Sequence, residues 1–223
     1  MAEPTARRRA PSRRAPLTRE RVIAAAMAVA DEKGEAGATM RVIAASLGVE
    51  AMSLYNHVRG RDDLLTGMVD AVFAEIDLPD PGAAWRPAMR ERALSARAVL
   101  RRHTWAVALM DSRSEPGPAT LRHHDAVLGV LRSSGFSVAM ATHAFSLIDS
   151  YVYGFVLQEQ GLAATAEEVH DTASAIMEAL PTDAFPHLAE VAAAHVTQPG
   201  YDYAAEFEFG LDVILGALRP DEG

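Results

Sequence analysis

No cysteine occurs among the 223 residues, which excludes a disulfide framework and any thiolate metal site. Aromatic residues make up only 6%, and no segment shows the alternation of a half-buried strand or a repeat at fixed period. Ala, Leu and Val supply most of the 49% apolar content instead, a composition that favours helices. There is no H-E-x-x-H, no G-x-S-x-G and no phosphate loop, so the motifs of common hydrolases and nucleotide enzymes are missing. The adjacent His123 and His124 would project about 100° apart on a helix and would not share a metal. Neither catalysis nor a cofactor or metal is expected. Residues 1–16 hold no apolar run, so no secretory leader is read there. The most apolar stretch, Phe136 to Gln160, contains His143, Ser146, Asp149 and Ser150. These are costly in hydrocarbon, so the stretch reads as a buried helix and not a membrane span, with a cytoplasmic location expected.

The net charge of -9 conceals an asymmetry. Residues 1–61 carry eleven basic and six acidic side chains, residues 62–223 ten basic and twenty-four acidic. A basic head on an acidic body fits a protein whose head meets nucleic acid, and also an ordinary acidic globule with a basic tail. Residues 1–16, with Arg7, Arg8, Arg9, Arg13 and Arg14 among prolines, read as a disordered basic arm able to gain phosphate contacts, or as a solubilising tail.

The informative stretch runs from Thr39 to Arg61. Thr39 is an N-cap residue, Val42, Ile43 and Leu47 follow at helical spacing, and Gly48 stops the helix. A second short helix begins near Ala51, with Leu54 and Val58 on one face and Ser53, Tyr55, Asn56 and His57 directed elsewhere. Two short helices around a glycine make a helix-turn-helix, with the small Ala44 permitting a close crossing and Val49 filling the corner. The same residues also fit a helical hairpin inside an all-α domain.

Thr39 with Arg41, I-A-A-S-L-G-V at 43–49, S-L-Y-N-H-V at 53–58, and Arg61 with Leu64 and Leu65 closely resemble the DNA-binding end of the TetR family of bacterial regulators. The likeness is strongest over residues 17–76. It implies an all-α fold: a three-helix DNA-binding domain at residues 17–62, then a larger ligand-binding and dimerisation domain at 63–223. Dimerisation implies a palindromic operator on double-stranded DNA, with half-sites about one helical turn or a multiple apart. Ala51, Met52 and Ser53 would then reach base edges, Arg41 would contact guanine, and the family's phosphate contacts fall on Thr39, Tyr55, His57 and Arg61. Tyr55 packed on the first helix, or His57 capping a carbonyl, are the structural alternatives.

Beyond the head, spacing predicts helices from Thr18 to near Gly34, from Arg61 through Ile76, from Trp85 to about Met110, from Ala119 to Arg132, from Phe136 to Gln160, from Ala166 to Leu180, from Asp183 to Val196 and from Tyr203 to Leu218. The central and final helices are apolar beyond what one subunit obviously covers, and the resemblance implies a homodimer there; a monomer core is the alternative. For the small-molecule effector, the helices that enclose the family's pocket point to His103, Trp105, Met110, His124, His143 and Phe155, although such residues are often plain core. Trp85-Arg86, G-F-S at 135–137 and Y-G-F-V-L-Q-E-Q at 153–160 are most similar to the tetracycline-repressor branch. That branch's metal-chelating His and Glu fall on Ala108 and Gln158, and its drug contacts on Arg92 and Ala96, so the resemblance implies a different apolar ligand. The reading is a ligand-released repressor; a sequence-indifferent architectural DNA binder is the alternative.

Overall fold

The structure, a computed structural model, describes residues 16–110, 115–161, 172, 174, 175, 179–198 and 200–221. The basic arm before Pro16, and most of the helix expected from Ala166 to Leu180, lie outside the described residues. Among the described residues the secondary structure is helical, without strands.

Helix α1, Arg19–Gly37, starts at Thr18, whose side chain accepts from the Arg21 N–H. Its regular course stops at Gly34, at φ 73° and ψ 166°, which allows a short further turn. Val22, Ala26, Val29 and Ala30 bury one stripe of α1. Against it pack α2, Met40–Leu47, and α4, Arg61–Glu75. The short α3, Ala51–Leu54, leans on α2. Helix α4 leaves this head and continues into the body, with Leu64, Leu65, Met68, Val69, Val72 and Phe73 buried between α1 and the body helix α6, Pro118–Ser133.

The body is completed by α5, Trp85–Arg102, α7, Val138–Gln160, and α9, Tyr203–Ala217. Phe207, Leu211 and Leu215 bury the inner face of α9, each side chain contributing about 1.5 to 3 kcal/mol. The outer faces of α7 and α9 leave Leu147, Leu157, Phe209 and Val213 exposed.

Two expected helices are shorter than their sequence patterns. The one that starts at Trp85 ends at Arg102: His103 takes φ -114° and ψ 62°, and the chain continues as a 3-10 helix, Thr104–Leu109. The segment expected from Asp183 to Val196 is α8, Pro186–Val191, followed by a π turn, Ala192–Val196; Pro186 sets the start, since it lacks a donor and fits the first turn. Among the described residues no helix is long and apolar enough to cross a membrane.

Candidate nucleic-acid interface and effector cavity

In the head, the Thr39 hydroxyl accepts from the Val42 N–H at 3.4 Å and opens α2. Gly48 closes it in the left-handed region, at φ 65° and ψ 39°, a conformation that costs a side-chain-bearing residue energy. The Gly48 N–H and the Val49 N–H return to carbonyls of α2, the latter to Ala44 at 3.0 Å. This turn sets α3 against α2 so that Leu54 and Val58 are buried while Met52 is 74% and Tyr55 48% exposed. Thr39, Arg41 and Asn56 are exposed too, and Ala51, Ser53 and His57 half-buried. About half of Tyr55 is therefore open to solvent.

Arg61 is placed differently from a free phosphate ligand. Its guanidinium pairs with Glu35 and donates to the carbonyls of Glu35 at 3.1 Å and Ala38 at 3.3 Å, tying α4 to the end of α1. Arg19 binds Asp63 through both terminal nitrogens at 2.7 Å and donates to the His57 carbonyl at 3.1 Å. The Arg19 bond, opposed by burial and helped by the Arg59 N–H, pulls the Asp63 carboxyl down to about 2.

Where head meets body, the break at His103 acquires a purpose. The imidazole lies between two carboxylates, Nδ1 at 2.8 Å from Asp31 of α1 and Nε2 at 3.3 Å from Glu75 of α4. The Trp105 indole N–H donates to the same Asp31 oxygen at 2.7 Å, and Arg102 pairs with Glu75 at 2.6 Å. A continuous helix through 103–105 would not bring both rings to one carboxylate, because positions two apart on a helix point to nearly opposite sides.

The expected effector residues divide accordingly. Met110 and His124 line one cavity of about 200 Å³, together with Thr66 and Val69 of α4, Pro116, Gly117 and Thr120. His103 and Trp105 belong to the head–body junction instead. Phe155 is held in an aromatic cluster with Tyr203 and Phe207, at 5.0 and 5.1 Å, under the Arg97 guanidinium. His143 is exposed on α7. None of these four is among the residues that line this cavity. Of the positions that the tetracycline branch uses for metal, Ala108 is exposed and Gln158 accepts from the Tyr203 hydroxyl at 3.0 Å.

The cavity wall couples α4 to α6. Asp70 of α4 accepts from the Thr120 N–H at 2.8 Å and from its hydroxyl at 3.0 Å, capping the start of α6. Gly117 is required there: a Cβ would lie 2.2 Å from the Asp70 carboxyl carbon.

Sequence reasoning did not single out the buried polar cluster of the body core as a site. Arg92, 1% exposed, pairs through Nη1 with Asp149 and donates from Nε to His123 Nε2 at 3.1 Å. The Tyr153 hydroxyl donates to the other Asp149 oxygen at 3.3 Å. Burial, reinforced by the charges of Arg92 and His124, pushes His123 down to about 3 and keeps it neutral. The usable signal was Asp149 in the most apolar stretch of the chain, since a carboxylate placed there calls for a partner.

Residues 78–220 match the family model described as the tetracyclin repressor-like C-terminal domain, and residues 22–68 that of the bacterial regulatory proteins, tetR family. The chain is similar to an HTH-type transcriptional regulator of Saccharopolyspora erythraea, 32% identical over 210 residues covering 93% of this chain and 86% of that one. It is 31% identical to the class C tetracycline repressor of Escherichia coli, over 91% of each chain. Among solved structures it is similar to apo ActR of Streptomyces coelicolor, with a TM-score of 0.74, 29% identity and coverage of 92% of this chain and 95% of that one. ActR in complex with actinorhodin gives a TM-score of 0.73 at 27% identity, covering 92% and 97%.

Proposed function

The chain belongs to the TetR family of DNA-binding, ligand-responsive transcriptional regulators, and on that premise we propose which of its parts read DNA and which sense the effector. Members bind operators as dimers, and here Leu147 and Leu157 with Phe209 and Val213 give the apolar face for a second copy. This membership favours a regulator over a sequence-indifferent architectural binder, and we propose that it acts in the cytoplasm without catalysing a reaction.

The head is residues 17–62. Ala51, Met52 and Ser53 enter the major groove, Arg41 adds a guanine contact from α2, and Thr39, Tyr55 and His57 hold phosphates. The observation that carries this is the exposure of Met52 on α3 and of Tyr55 just after it, while Leu54 and Val58 of the same segment are sealed. Arg61 commits three of its five N–H donors to Glu35 and Ala38, so we assign it to holding the head together, with the remaining donors left for a phosphate.

The body is residues 63–223, and α4 is the lever. Thr66 and Val69 of α4 form one wall of the cavity, and Asp70 binds that helix to α6. At about 200 Å³ the cavity is smaller than the roughly 300 to 1,000 Å³ common for drug-sized ligands. A ligand of that size therefore displaces α4 or α6 on entry, and α4 carries the movement to the head. Binding that favours the displaced state lowers operator affinity, and operator lowers ligand affinity by the same factor.

Selection of bound sequences from random DNA tests the head: a palindromic site held against excess random DNA is expected, and indifference to sequence would sink the reading. On the selected operator, Arg41→Ala is expected to lose about 1 to 3 kcal/mol and relax preference at one base pair, measured by titration of wild type and variant.

A further inference from the structure

Three arginines surround the exit of α3, and their side chains are committed to different degrees. Arg19 spends both terminal nitrogens on the Asp63 carboxylate at 2.7 Å and donates to the His57 carbonyl as well. Arg61 is bound to Glu35 and Ala38. Arg59 is exposed, and its guanidinium makes no hydrogen bond or ion pair among the described residues. Its whole fork of N–H donors is therefore open to solvent.

The backbone beneath that open side chain is held from three sides. Val58, before it, is 2% exposed and donates to the Leu54 carbonyl at 3.0 Å. The Arg59 N–H donates to the Asp63 carboxylate at 2.8 Å. Gly60, after it, turns the chain into α4 at φ 156°, a conformation that other residues rarely adopt. Gly60 has no side chain with which to cap α4, so the carboxylate of Asp63 reaches back past it to Arg59, in the manner of a capping box displaced by one residue. The Arg19 fork fixes that carboxylate from the other side. A merely solvated arginine needs no such anchoring, whereas a cation presented to a partner gains from it, because less freedom is lost on binding. Place and charge give the partner's chemistry. Two residues of chain span at most about 7 Å, so Arg59 stands beside the DNA backbone that Tyr55 and His57 are assigned to hold. A planar fork of free donors there fits the oxygens of a phosphodiester. Resting on the assignment of the head to DNA, we propose that Arg59 is a further phosphate ligand and that the Arg19–Asp63 pair is the positioning device that presents it.

Phosphate contacts carry no sequence information, so the test needs no operator. The full-length protein is titrated with a random-sequence duplex at several salt concentrations. Arg59→Ala is expected to lower the slope of log affinity against log salt by about 0.9 for each bound head, and Arg59→Lys to keep it. Replacing the pair together, Arg19→Gln with Asp63→Asn, leaves the net charge of the head unchanged, so a change of total charge does not enter. This paired variant is expected to bind more weakly and to lose about as much slope as Arg59→Ala, and adding Arg59→Ala to it is expected to lower the slope no further. A slope unchanged by Arg59→Ala overturns the proposal. So does a paired variant that binds as wild type does, or one whose slope falls again when Arg59 is also replaced. Arg59→Ala alters an exposed side chain and decides alone should the paired variant not fold. Wild type that binds no duplex at low salt would sink the assignment of the head and this proposal with it. Wild type that binds with a slope indifferent to Arg59 would sink only the proposal.

Discussion

Two polar clusters in this helical chain follow different rules. At the junction of head and body, His103 sits between Asp31 and Glu75, Trp105 donates to Asp31, and Arg102 donates to Glu75. Both His103 nitrogens and the Trp105 indole find a carboxylate. In the body core, Arg92, His123, Asp149 and Tyr153 are joined just as directly, yet Arg92 Nη2 and His123 Nδ1 have no hydrogen-bond partner among the described residues. A satisfied network fixes how two parts sit together, and an under-satisfied one keeps capacity for something else. The junction therefore reads as the strap that holds the head in one orientation, and the core cluster as a buried network that its own partners do not complete.

The largest test of that contrast is to remove Asp149. Asp149→Ala leaves the Arg92 guanidinium buried without a counter-charge and is expected to cost about 3 to 5 kcal/mol, measured by chemical denaturation. Replacing both partners, Arg92→Met with Asp149→Leu, is expected to be near neutral or stabilising, because the pair's worth for folding is small once its own desolvation is counted. A double variant as unstable as the single one would show that the pair itself stabilises the fold.

The junction responds more mildly. Asp31 is partly open to solvent, with 32% of its side chain exposed, so Asp31→Ala is expected to cost about 1 to 3 kcal/mol by denaturation. Its functional signature matters more: the head loses its tie to Trp105 and His103, so operator affinity becomes less sensitive to a bound effector. An unchanged ratio of operator affinities with and without effector would remove the strap from the coupling path.

The sequence made the two regions unequally readable. The head was legible nearly residue by residue, because its signals are local: Thr39 as cap, Gly48 as left-handed stop, and Leu54 and Val58 one turn apart. The helices of the body were legible from periodicity, but their breaks were not. His103 ends α5 because its ring and that of Trp105 reach Asp31, seventy-two and seventy-four residues away in sequence, and no local pattern encodes a contact that distant. For the same reason the contacts of His103 and Trp105 with Asp31 were not foreseen. The Arg92–Asp149 pair was hidden by separation too, across 57 residues. The bonds of Arg61 to Glu35 and Ala38 were not legible either, since only the folded head brings the end of α1 within its reach.

The smallest effect concerns a third ion pair, which ties the start of α4 to α1 in the manner of the junction. Arg19 holds Asp63 by two bonds of 2.7 Å and lowers its carboxyl from 3.8 to about 2. A depressed folded-state value means that the pair's stabilisation is full above the unfolded value, near 3.8, and is lost as pH falls through about 2. With the Arg19 side chain 37% exposed, solvent screening reduces the contribution to about 1 kcal/mol. Urea titrations of wild type and Asp63→Asn should therefore differ by about that amount at neutral pH, and the gap should close between pH 4 and pH 2. A gap that stays constant over the whole range would mean that Asp63 acts through the Arg59 N–H it accepts at 2.8 Å, a bond that asparagine keeps only in part, and not through its charge.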